Sequence, residues 1–449
     1  MDTRPRAPGA VRWIVRTLED AGYPTWAVGG AVRDALLGRE GGDWDLATRA
    51  RPREVRRLFP RTVPIGIEHG TVGVLDRSGV LFEVTTFRRD VETLGRHAVV
   101  EFADSIDEDL ARRDFTINAL AWHPLREELH DPFGGLDDLD RRILRTVGRP
   151  GERFAEDYLR VLRALRFAGQ FSLTVEEETW RALCRAVGGL AHLSAERVRE
   201  ELMKVLGDEE PPSRALGLYA ASGALAQFAP ELEAIVAPRG EDGQVGEHWI
   251  RAVLTADVVR PERPLLRLAA LLRWTGGLSR VAGRDDGSLE PEERAGRRAA
   301  ALMTRLRFSN AETDRVTALV RAGPEPPDPE EGGGALRRWL ARNGPKRLPD
   351  LARLWVADAR VERRRGRPRA AERAVAAWRA LRAQLAAEPP LTEGDLALDG
   401  RDLIRMGLEP GPRFGEILEG LLERVLEDPG LNRRETLVRI VEEEVEDER

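Results

Sequence analysis

The sequence predicts an α+β fold in which a small mixed head precedes a long, mostly helical remainder. Short apolar stretches with strand character fall at residues 25–28, 43–47, 71–75 and 80–87, all near the start of the chain. Beyond residue 150, leucine, alanine, arginine and glutamate recur at helical spacing. A chain of 449 residues is too long for one small core, so we expect about two to four domains.

The elements of the head follow from hydrophobic spacing and from glycine positions. A helix is expected over residues 11–20, because its apolar residues share one side: Val11, Ile14, Val15 and Leu18. The strand at 25–28 leads into Gly29 and Gly30, and a helix over 32–37 stops at Gly38. Residues 53–59 form another helix, and the strands at 71–75 and 80–87 form a hairpin that turns at 76–79.

Composition excludes several classes of protein. No run of 18 apolar residues exists, so no transmembrane helix and no membrane partner is expected, and the first residues lack the apolar segment of a secretory signal. Cys184 is the only cysteine, which excludes an intrachain disulfide and a cysteine-based zinc site. We therefore place the protein in the cytoplasm.

The net charge of −6 does not indicate nucleic-acid binding, but arginines concentrate over residues 141–166, and such a patch can hold phosphates.

Two aspartates, Asp43 and Asp45, form the most informative feature of the chain. Side chains at i and i+2 of a strand point to the same face, so the two carboxylates are expected side by side. Two anions that close need a cation or a raised pKa. Mg²⁺ suits such a site, because it binds one or two carboxylates together with substrate phosphates. The preceding Gly29 and Gly30 let backbone N–H groups approach an anion, so the pattern predicts a metal-dependent site for a nucleoside triphosphate.

A third carboxylate is needed if two metal ions are to be held. Glu83 lies on a neighbouring predicted strand and is the first choice. Asp76 is the alternative, but it falls in the predicted turn. Glu83 could equally be an ordinary strand residue that faces solvent.

A second polar cluster follows at residues 112–120. Arg113 can hold phosphate oxygens through two parallel hydrogen bonds. Asp114 and Asn118 are four apart and share one face of a predicted helix, where they can bind ribose hydroxyls. The alternative for Asp114 is a helix N-cap, and both roles can hold at once.

A predicted helix over residues 156–167 carries Asp157 and Arg160. A carboxylate accepts hydrogen bonds and a guanidinium donates them. Cytosine and adenine each offer an amino donor beside a ring-nitrogen acceptor, so one Asp/Arg pair can satisfy either base. Guanine and uracil present a carbonyl and an N–H instead, and each unpaired group costs about 1–3 kcal/mol. The pair can thus accept CTP and ATP and reject GTP and UTP. The alternative is an intrahelical salt bridge.

Taken together, residues 28–48, 82–88, 110–121, 156–171 and 193–202 resemble class II tRNA nucleotidyltransferases, the bacterial CCA-adding enzymes and poly(A) polymerases. The resemblance implies a polymerase-β-like nucleotidyltransferase head at 1–149. It implies a helical neck at 150–235, a body at 236–325 and a tRNA-binding tail at 326–449. It further implies transfer from CTP and ATP to the 3′ end of tRNA, with release of pyrophosphate.

The resemblance also assigns roles to individual positions. Asp43 and Asp45 match the Mg²⁺ ligands, and Asp157 and Arg160 match the pair that reads the incoming base. Gly30, Arg33 and Arg113 match positions that contact the triphosphate, and Gly29, directly before Gly30, is counted with them as nucleotide-binding. Those matching nearby nucleotide contacts are Arg163 and Arg166.

Two departures from the family leave alternatives open. The loop at 88–100 is slightly short and carries Leu94 where an aspartate is expected, so a CC-only or A-only enzyme stays possible, as does a poly(A) polymerase. Arg273 and Trp274 stand where some relatives carry a metal-binding His-Asp doublet, so we expect no phosphohydrolase activity and a structural body. An inert RNA-binding protein and a small-molecule nucleotidyltransferase are further alternatives. The sequence does not indicate the oligomeric state.

Overall fold

The computed structural model describes residues 5–39, 43–94, 97–236, 244–277, 280–281, 284–285 and 288–447. The chain divides into two compact units. One comprises Met1–Val205 and Arg214–Phe228, and the other comprises Leu206–Ser213 and Ala229–Arg449. The finer division into head, neck, body and tail at residues 149, 235 and 325 stays a prediction.

The first unit is mixed. Its strands are β1 Thr25–Val28, β2 Asp45–Thr48, β3 Thr62–Gly66, β4 Thr71–Leu75, β5 Leu81–Thr86, β6 Arg88–Leu94, β7 His97–Phe102, β8 Ala121–His123, β9 Glu128–His130, β10 Ile143–Leu144 and β11 Thr174–Val175. Its helices are α1 Gly9–Asp20, α2 Gly30–Leu36, α3 Pro52–Leu58, α4 Ile106–Ala111, α5 Gly135–Asp140, α6 Pro150–Glu156, α7 Leu159–Gln170, α8 Glu177–Ala186, α9 Ala195–Leu206, α10 Ser213–Ser222 and α11 Ala224–Phe228.

Seven of these strands form one sheet in the order β3-β4-β5-β2-β1-β8-β9. All neighbours are antiparallel except β2 and β5, which run parallel. The four apolar residues predicted on one side of α1 are all fully buried, because a 3.6-residue period brings them to one face: Val11, Ile14, Val15 and Leu18. The predicted hairpin is confirmed as β4 and β5, and the predicted α+β head is confirmed with it.

Three predicted elements differ from the structure. The strand at 43–47 begins only at Asp45, so Asp43 lies in the segment just before it. Residues 114–118 contain a short 3₁₀ turn, Thr116–Asn118, rather than an α-helix. The helix over 156–167 is two helices, because Asp157 between α6 and α7 has extended backbone (φ −151°, ψ 106°) and its Oδ1 accepts the N–H of Leu159 at 3.0 Å.

The second unit is almost entirely helical. Its helices are α12 Pro230–Val236, α13 Gln244–Val258, α14 Pro264–Leu272, α15 Pro291–Arg305, α16 Asn310–Arg321, α17 Gly333–Asn343, α18 Leu348–Arg364, α19 Arg369–Ala386, α20 Gly400–Arg405, α21 Arg413–Glu427 and α22 Arg434–Asp447. Two short strands, β12 Arg280–Val281 and β13 Arg284–Asp285, pair with each other. None of the helices in the described ranges is long and apolar enough to cross a membrane.

Arg273, the first of the two residues at the predicted position of the missing His-Asp doublet, forms a buried ion pair. The Arg273 guanidinium lies just beyond α14, with Nη1 2.9 Å from Oδ2 of Asp358 on α18. Thr255 donates to the other oxygen of that carboxylate at 2.7 Å. Burial lowers the pKa of Arg273 and raises the pKa of Asp358, since removal from water disfavours both charges. The pair packs two helices of this unit against each other.

Candidate active site

The paired glycines form the turn that joins β1 to α2. Gly29 has a φ of +75°, which glycine adopts without strain, and Gly30 is the first residue of α2. A Cβ atom on Gly29 would lie 2.8 Å from Nη1 of Arg113. The turn therefore requires glycine for two reasons, and its N–H groups and the Arg113 guanidinium lie next to each other.

The sheet register places the carboxylates directly beside this turn. Val28, which precedes Gly29, is paired with Asp45 across the β1–β2 interface. On its other side β2 runs parallel to β5, with Leu46 opposite Val84, so Asp45 lies level with Glu83 one residue earlier. Asp43 comes two residues before Asp45, outside the strand. Asp45, the first residue of β2, thus lies level with Glu83 in β5, and Asp43 comes shortly before it in the chain.

The pKa of Asp45 reflects both its surroundings and the charges near it. Desolvation by the surrounding protein raises the pKa of Asp45 to about 6, and the charges of Glu83 and Asp43 add to the rise while Arg113 opposes it. In the part of the chain that the structure describes, no three His, Cys, Asp or Glu side chains are grouped so as to hold a metal ion together. Asp43, Asp45 and Glu83 therefore do not form the group of three carboxylates that was expected for two metal ions, and Asp43 and Asp45 as ligands of one metal ion stay a prediction.

Asp76, the alternative third carboxylate, has a local role. Its Oδ1 accepts the backbone N–H groups of Ser78 at 2.8 Å and Val80 at 2.9 Å, and it also accepts the Ser78 hydroxyl. These bonds hold the tight turn between β4 and β5 and lower the pKa of Asp76. Glu83, not Asp76, is therefore the carboxylate that lies beside Asp45.

Arg113 is held by a residue that sequence reasoning missed. Asp109 on α4 is 1% exposed, and its Oδ2 accepts from Arg113 Nη2 at 3.2 Å while its Oδ1 accepts from Arg112 at 3.3 Å. Burial alone would raise the pKa of Asp109, but Arg113 and Arg112 outweigh it and hold the pKa below its ordinary value. The i, i+4 spacing of an acid and an arginine was the available signal.

A buried chain of polar side chains links α2 to α7. Arg33 Nη1 donates to Oδ1 of Asn118 at 2.6 Å, and Asn118 Nδ2 donates to Oδ1 of Asp114 at 2.9 Å. Oδ2 of Asp114 then accepts from Arg163 Nε at 2.8 Å, and Arg163 Nη2 lies 2.7 Å from the same oxygen. Asp114 and Asn118 were predicted to share one face of an α-helix; that helix is absent, and a 3₁₀ turn, Thr116–Asn118, brings the two side chains together instead.

Three predicted arginines converge on one aromatic ring that sequence reasoning did not single out. The guanidinium carbons of Arg33, Arg163 and Arg166 lie 5.1, 5.1 and 4.2 Å from the centroid of Phe167. Phe171, one turn further along α7, lies 4.2 Å from the guanidinium of Arg33. An Arg-x-x-Arg-Phe pattern on one helix was the only local signal. The ring gathers arginines from α2 and α7 into one cluster.

Asp157 and Arg160 bind different partners. Oδ2 of Asp157 accepts from Arg197 of α9 at 2.7 Å. Arg160 Nη1 donates to Glu156 and to the backbone carbonyl of Arg153, the latter at 2.8 Å. The break between α6 and α7 explains why the simple i, i+3 salt bridge is replaced by these contacts.

Arg166 completes the set of predicted residues. Its Nε donates to Oε2 of Glu201, which is 1% exposed, at 2.7 Å. Lys204 donates to the other oxygen of Glu201 at 2.9 Å. Burial would raise the pKa of Glu201, but the two cations outweigh it. Arg166 therefore anchors α7 to α9.

Comparisons with known proteins agree with this architecture. The family model described as "Poly A polymerase head domain" matches residues 25–145, and that described as "Probable RNA and SrmB- binding site of polymerase A" matches residues 172–236. A CCA-adding enzyme of Geobacillus kaustophilus is 35% identical over 440 residues, which cover 94% of each chain. One of Limosilactobacillus fermentum is 33% identical over 445 residues, or 98% of each.

A solved structure gives the same result in three dimensions. The crystal structure of the Bacillus stearothermophilus CCA-adding enzyme in complex with CTP superposes with a TM-score of 0.71 at 31% identity, covering 98% of both chains. The similarity spans nearly the whole length of all three relatives. This chain therefore belongs to the tRNA nucleotidyltransferase family of the bacterial CCA-adding enzymes and poly(A) polymerases.

Proposed function

We propose that this protein adds the sequence CCA to the 3′ end of tRNA from CTP and ATP, without a template, and releases pyrophosphate. One observation carries the proposal: a glycine turn under Arg113 lies directly beside paired carboxylates, in a chain that matches CCA-adding enzymes end to end. A strand pair that presents carboxylates next to a phosphate-sized backbone turn is suited to nucleotidyl transfer.

The triphosphate is proposed to lie against the Gly29–Gly30 turn. The start of α2 has no side-chain cap for its first N–H groups, and Gly29 has no side chain that would block an anion there. Arg113 supplies the adjacent positive charge, and its Nε is buried without a hydrogen-bond partner among the residues that the structure describes. Arg33 is only 6% exposed, so we infer that it contributes charge from behind the turn.

The incoming base is proposed to be read by Asp157 and Arg160. The anchoring of Asp157 by Arg197 and of Arg160 by Glu156 supports this, because a reading pair must keep its geometry when different bases arrive. Arg163 is 32% exposed and can reach the nucleotide, whereas Arg166 supports it from the interior. Asp114 and Asn118, which are 8% and 6% exposed and bonded to each other, are proposed to bind the ribose.

Mg²⁺ is proposed as the cofactor, held by Asp43 and Asp45. The donors are all carboxylate oxygens, which Mg²⁺ prefers, and the charge of Glu83 beside Asp45 adds negative charge that a cation would neutralise. When bound, the metal would lower the pKa of the attacking hydroxyl and stabilise the leaving oxygen. Arg113 and the glycine turn hold the leaving pyrophosphate, and Glu83 adds its carboxylate on the β5 side of Asp45. The RNA 3′-hydroxyl attacks the α-phosphorus in line with that leaving group.

The test is a nucleotide-incorporation assay with tRNA transcripts that end at the discriminator base, at -C and at -CC. CTP and ATP are supplied singly and together, with Mg²⁺ or with EDTA, and products are read at single-nucleotide resolution. We expect CCA and no further addition, and we expect activity to vanish with EDTA and with Asp43→Ala. Glu83→Gln and Asp76→Asn form a matched pair, because only the first removes a carboxylate beside Asp45.

Each other product would overturn part of the proposal. Products that stop at CC, extension only of the -CC substrate, or a long A tail would assign a different activity within the family. Equal activity with EDTA would remove the metal. No product from any transcript, with Asp43→Ala behaving like the unaltered protein, would favour an inert RNA-binding protein.

A further inference from the structure

An exposed apolar surface lies on the outer strands of the sheet, beside the catalytic carboxylates. Val63 and Ile65 on β3 are 38% and 42% exposed, and Leu81 on β5 is 43% exposed. Single exposed apolar residues are common, but several that lie next to one another mark a candidate binding surface. We call these three residues, together with Gly73 of β4, the apolar shelf.

The sheet register fixes where the shelf lies. Val63 is opposite Gly73, and Gly73 is opposite Glu83, so the three positions form one row across β3, β4 and β5. Paired positions in a sheet present their side chains on the same face. Leu81 shares that face with Glu83, because the two are i and i+2 in β5. The shelf therefore continues the face that carries Glu83 and Asp45.

Gly73 gives the shelf its shape. A Cβ atom at this position would lie 2.7 Å from Cδ1 of Ile65 and 2.8 Å from Cδ1 of Leu81. The two side chains therefore close over the glycine from either side and present one continuous aliphatic surface. A larger residue in β4 would push them apart, so the sequence keeps the surface flat next to Glu83.

In-line chemistry decides which part of the substrate reaches this surface. The attacking and leaving oxygens stand on opposite sides of the phosphorus. The pyrophosphate is assigned to the Gly29 turn, which follows β1, and the carboxylates lie on β2 and β5. Since the sheet order is β3-β4-β5-β2-β1, an attack along the sheet and opposite that leaving group comes from the side of β5, β4 and β3. That side is the apolar shelf.

We propose that the apolar shelf holds the 3′-terminal nucleoside of the acceptor RNA, so that its hydroxyl reaches the carboxylates. This inference rests on the function proposed above and assigns a binding site for its second substrate. The terminal nucleoside changes at each step, from the discriminator base to C and then to C again. An aliphatic surface suits such a series, because van der Waals contact carries no donor or acceptor pattern to read.

The direct test is photocrosslinking, which requires no turnover. The photoreactive residue p-benzoylphenylalanine is placed at Ile65, and at Leu136 as a control, because Leu136 is 36% exposed on α5 and lies outside the site. Each protein is irradiated with tRNA ending in -C, without divalent metal, and the crosslinked nucleotide is mapped. We expect position 65 to crosslink to the terminal nucleotide and position 136 not to do so.

Kinetics give the second readout. Ile65→Asn and Leu81→Asn, singly and together, remove the aliphatic contact, whereas Ile65→Leu and Leu81→Ile retain it. For the double Asn variant we expect the KM for tRNA to rise about tenfold, with the KM for CTP unchanged, and the conservative variants to behave as the unaltered protein. A Leu136→Asn variant controls for general effects of a polar substitution.

The outcomes separate this inference from the proposed function. Crosslinks from position 65 to an internal helix of the tRNA, or to a second copy of the chain, would overturn the shelf assignment while leaving CCA addition intact. An unchanged KM for tRNA in the double Asn variant would do the same. Absence of nucleotide incorporation by the unaltered protein would instead overturn the function itself.

Discussion

Asp114→Asn tests whether the buried polar chain between α2 and α7 holds the nucleotide site together. The Asp114 side chain accepts three hydrogen bonds, from the Phe115 N–H, from Asn118 and from Arg163 Nε, and Arg163 Nη2 lies 2.7 Å from the same oxygen as Nε. Asparagine has almost the same shape and keeps one acceptor oxygen for Phe115 and Asn118. Its amide NH₂ group would then face the Arg163 guanidinium, donor against donor. The charge-assisted hydrogen bond from Nε and the close ion-pair contact of Nη2 are lost, and Arg163 keeps its charge without its counterion.

The structure sets the expected magnitude. Breaking a fully buried ion pair costs about 3–5 kcal/mol, whereas an exposed pair contributes at most about 1 kcal/mol. The Asp114 side chain is 9% exposed and that of Arg163 is 32% exposed, so the pair lies between these limits. We expect a loss of about 2–3 kcal/mol in the free energy of unfolding, or about 4–12 °C in the Tm of the first unit.

The pH dependence follows from the pKa of Asp114. Burial alone would raise this pKa, but Arg163 and the other hydrogen bonds outweigh it and hold the pKa below its ordinary value. A group with a depressed folded-state pKa stabilises the protein above its unfolded pKa of about 3.9 and loses that contribution as the pH falls through the folded value. The Tm difference between the two proteins should be constant above about pH 5 and shrink below about pH 4.

The assay is calorimetric unfolding from pH 3.5 to 8, with Arg163→Met and the double variant completing a thermodynamic cycle. We expect the two single variants to be strongly non-additive, because each removes the same ion pair. The KM for CTP and for ATP should rise in both, since Arg163 and Arg33 lose a shared support. An unchanged Tm, or additive single effects, would refute the reasoning and make the contact incidental.

Three further predictions concern separate parts of the chain. Gly29→Ala should raise the KM for CTP at least about tenfold, because the added methyl group would lie 2.8 Å from Arg113 Nη1 and the backbone φ of +75° disfavours alanine. Gly22→Ala is the control in the same assay, because Gly22 has a similar φ of +86° but open space around it. Arg273→Met should lower the Tm of the second unit by removing the partner of buried Asp358, and adding Asp358→Asn should restore part of the loss. Arg197→Gln should reduce the discrimination against GTP and UTP, measured as a ratio of kcat/KM values, without changing the Tm by more than a few degrees.

The sequence alone determined the features that depend on near neighbours. Periodicity gave α1 and its four buried residues, because a helix brings positions three and four apart to one face. Alternation and turn residues gave the hairpin of β4 and β5. The spacing of Asp43 and Asp45 behind Gly29 and Gly30 placed the carboxylates and the glycine turn in one region, because few residues separate them along the chain.

Local pattern also misled in places. The apolar spacing of residues 156–167 is helical throughout, yet the chain breaks at Asp157, whose carboxylate bonds the next helix start and an arginine from α9. Asp114 and Asn118 pair through a 3₁₀ turn rather than an α-helix. In both places, hydrogen bonds made by the carboxylate outweighed the small free-energy differences that local propensity provides.

Only the tertiary structure decided which distant charges meet. Arg33 and Asn118 are 85 residues apart, and Asp114 and Arg163 are 49 apart. The sequence does not say which residues these arginines contact, because the chain has 77 acidic residues and sequence spacing does not tell which of them lies near a given arginine in the fold. The same holds for the convergence of three guanidinium groups on Phe167 and for the apolar shelf beside Glu83. Burial makes the charge pairings specific, because a charge removed from water is stable only where a partner of fixed geometry is already in place.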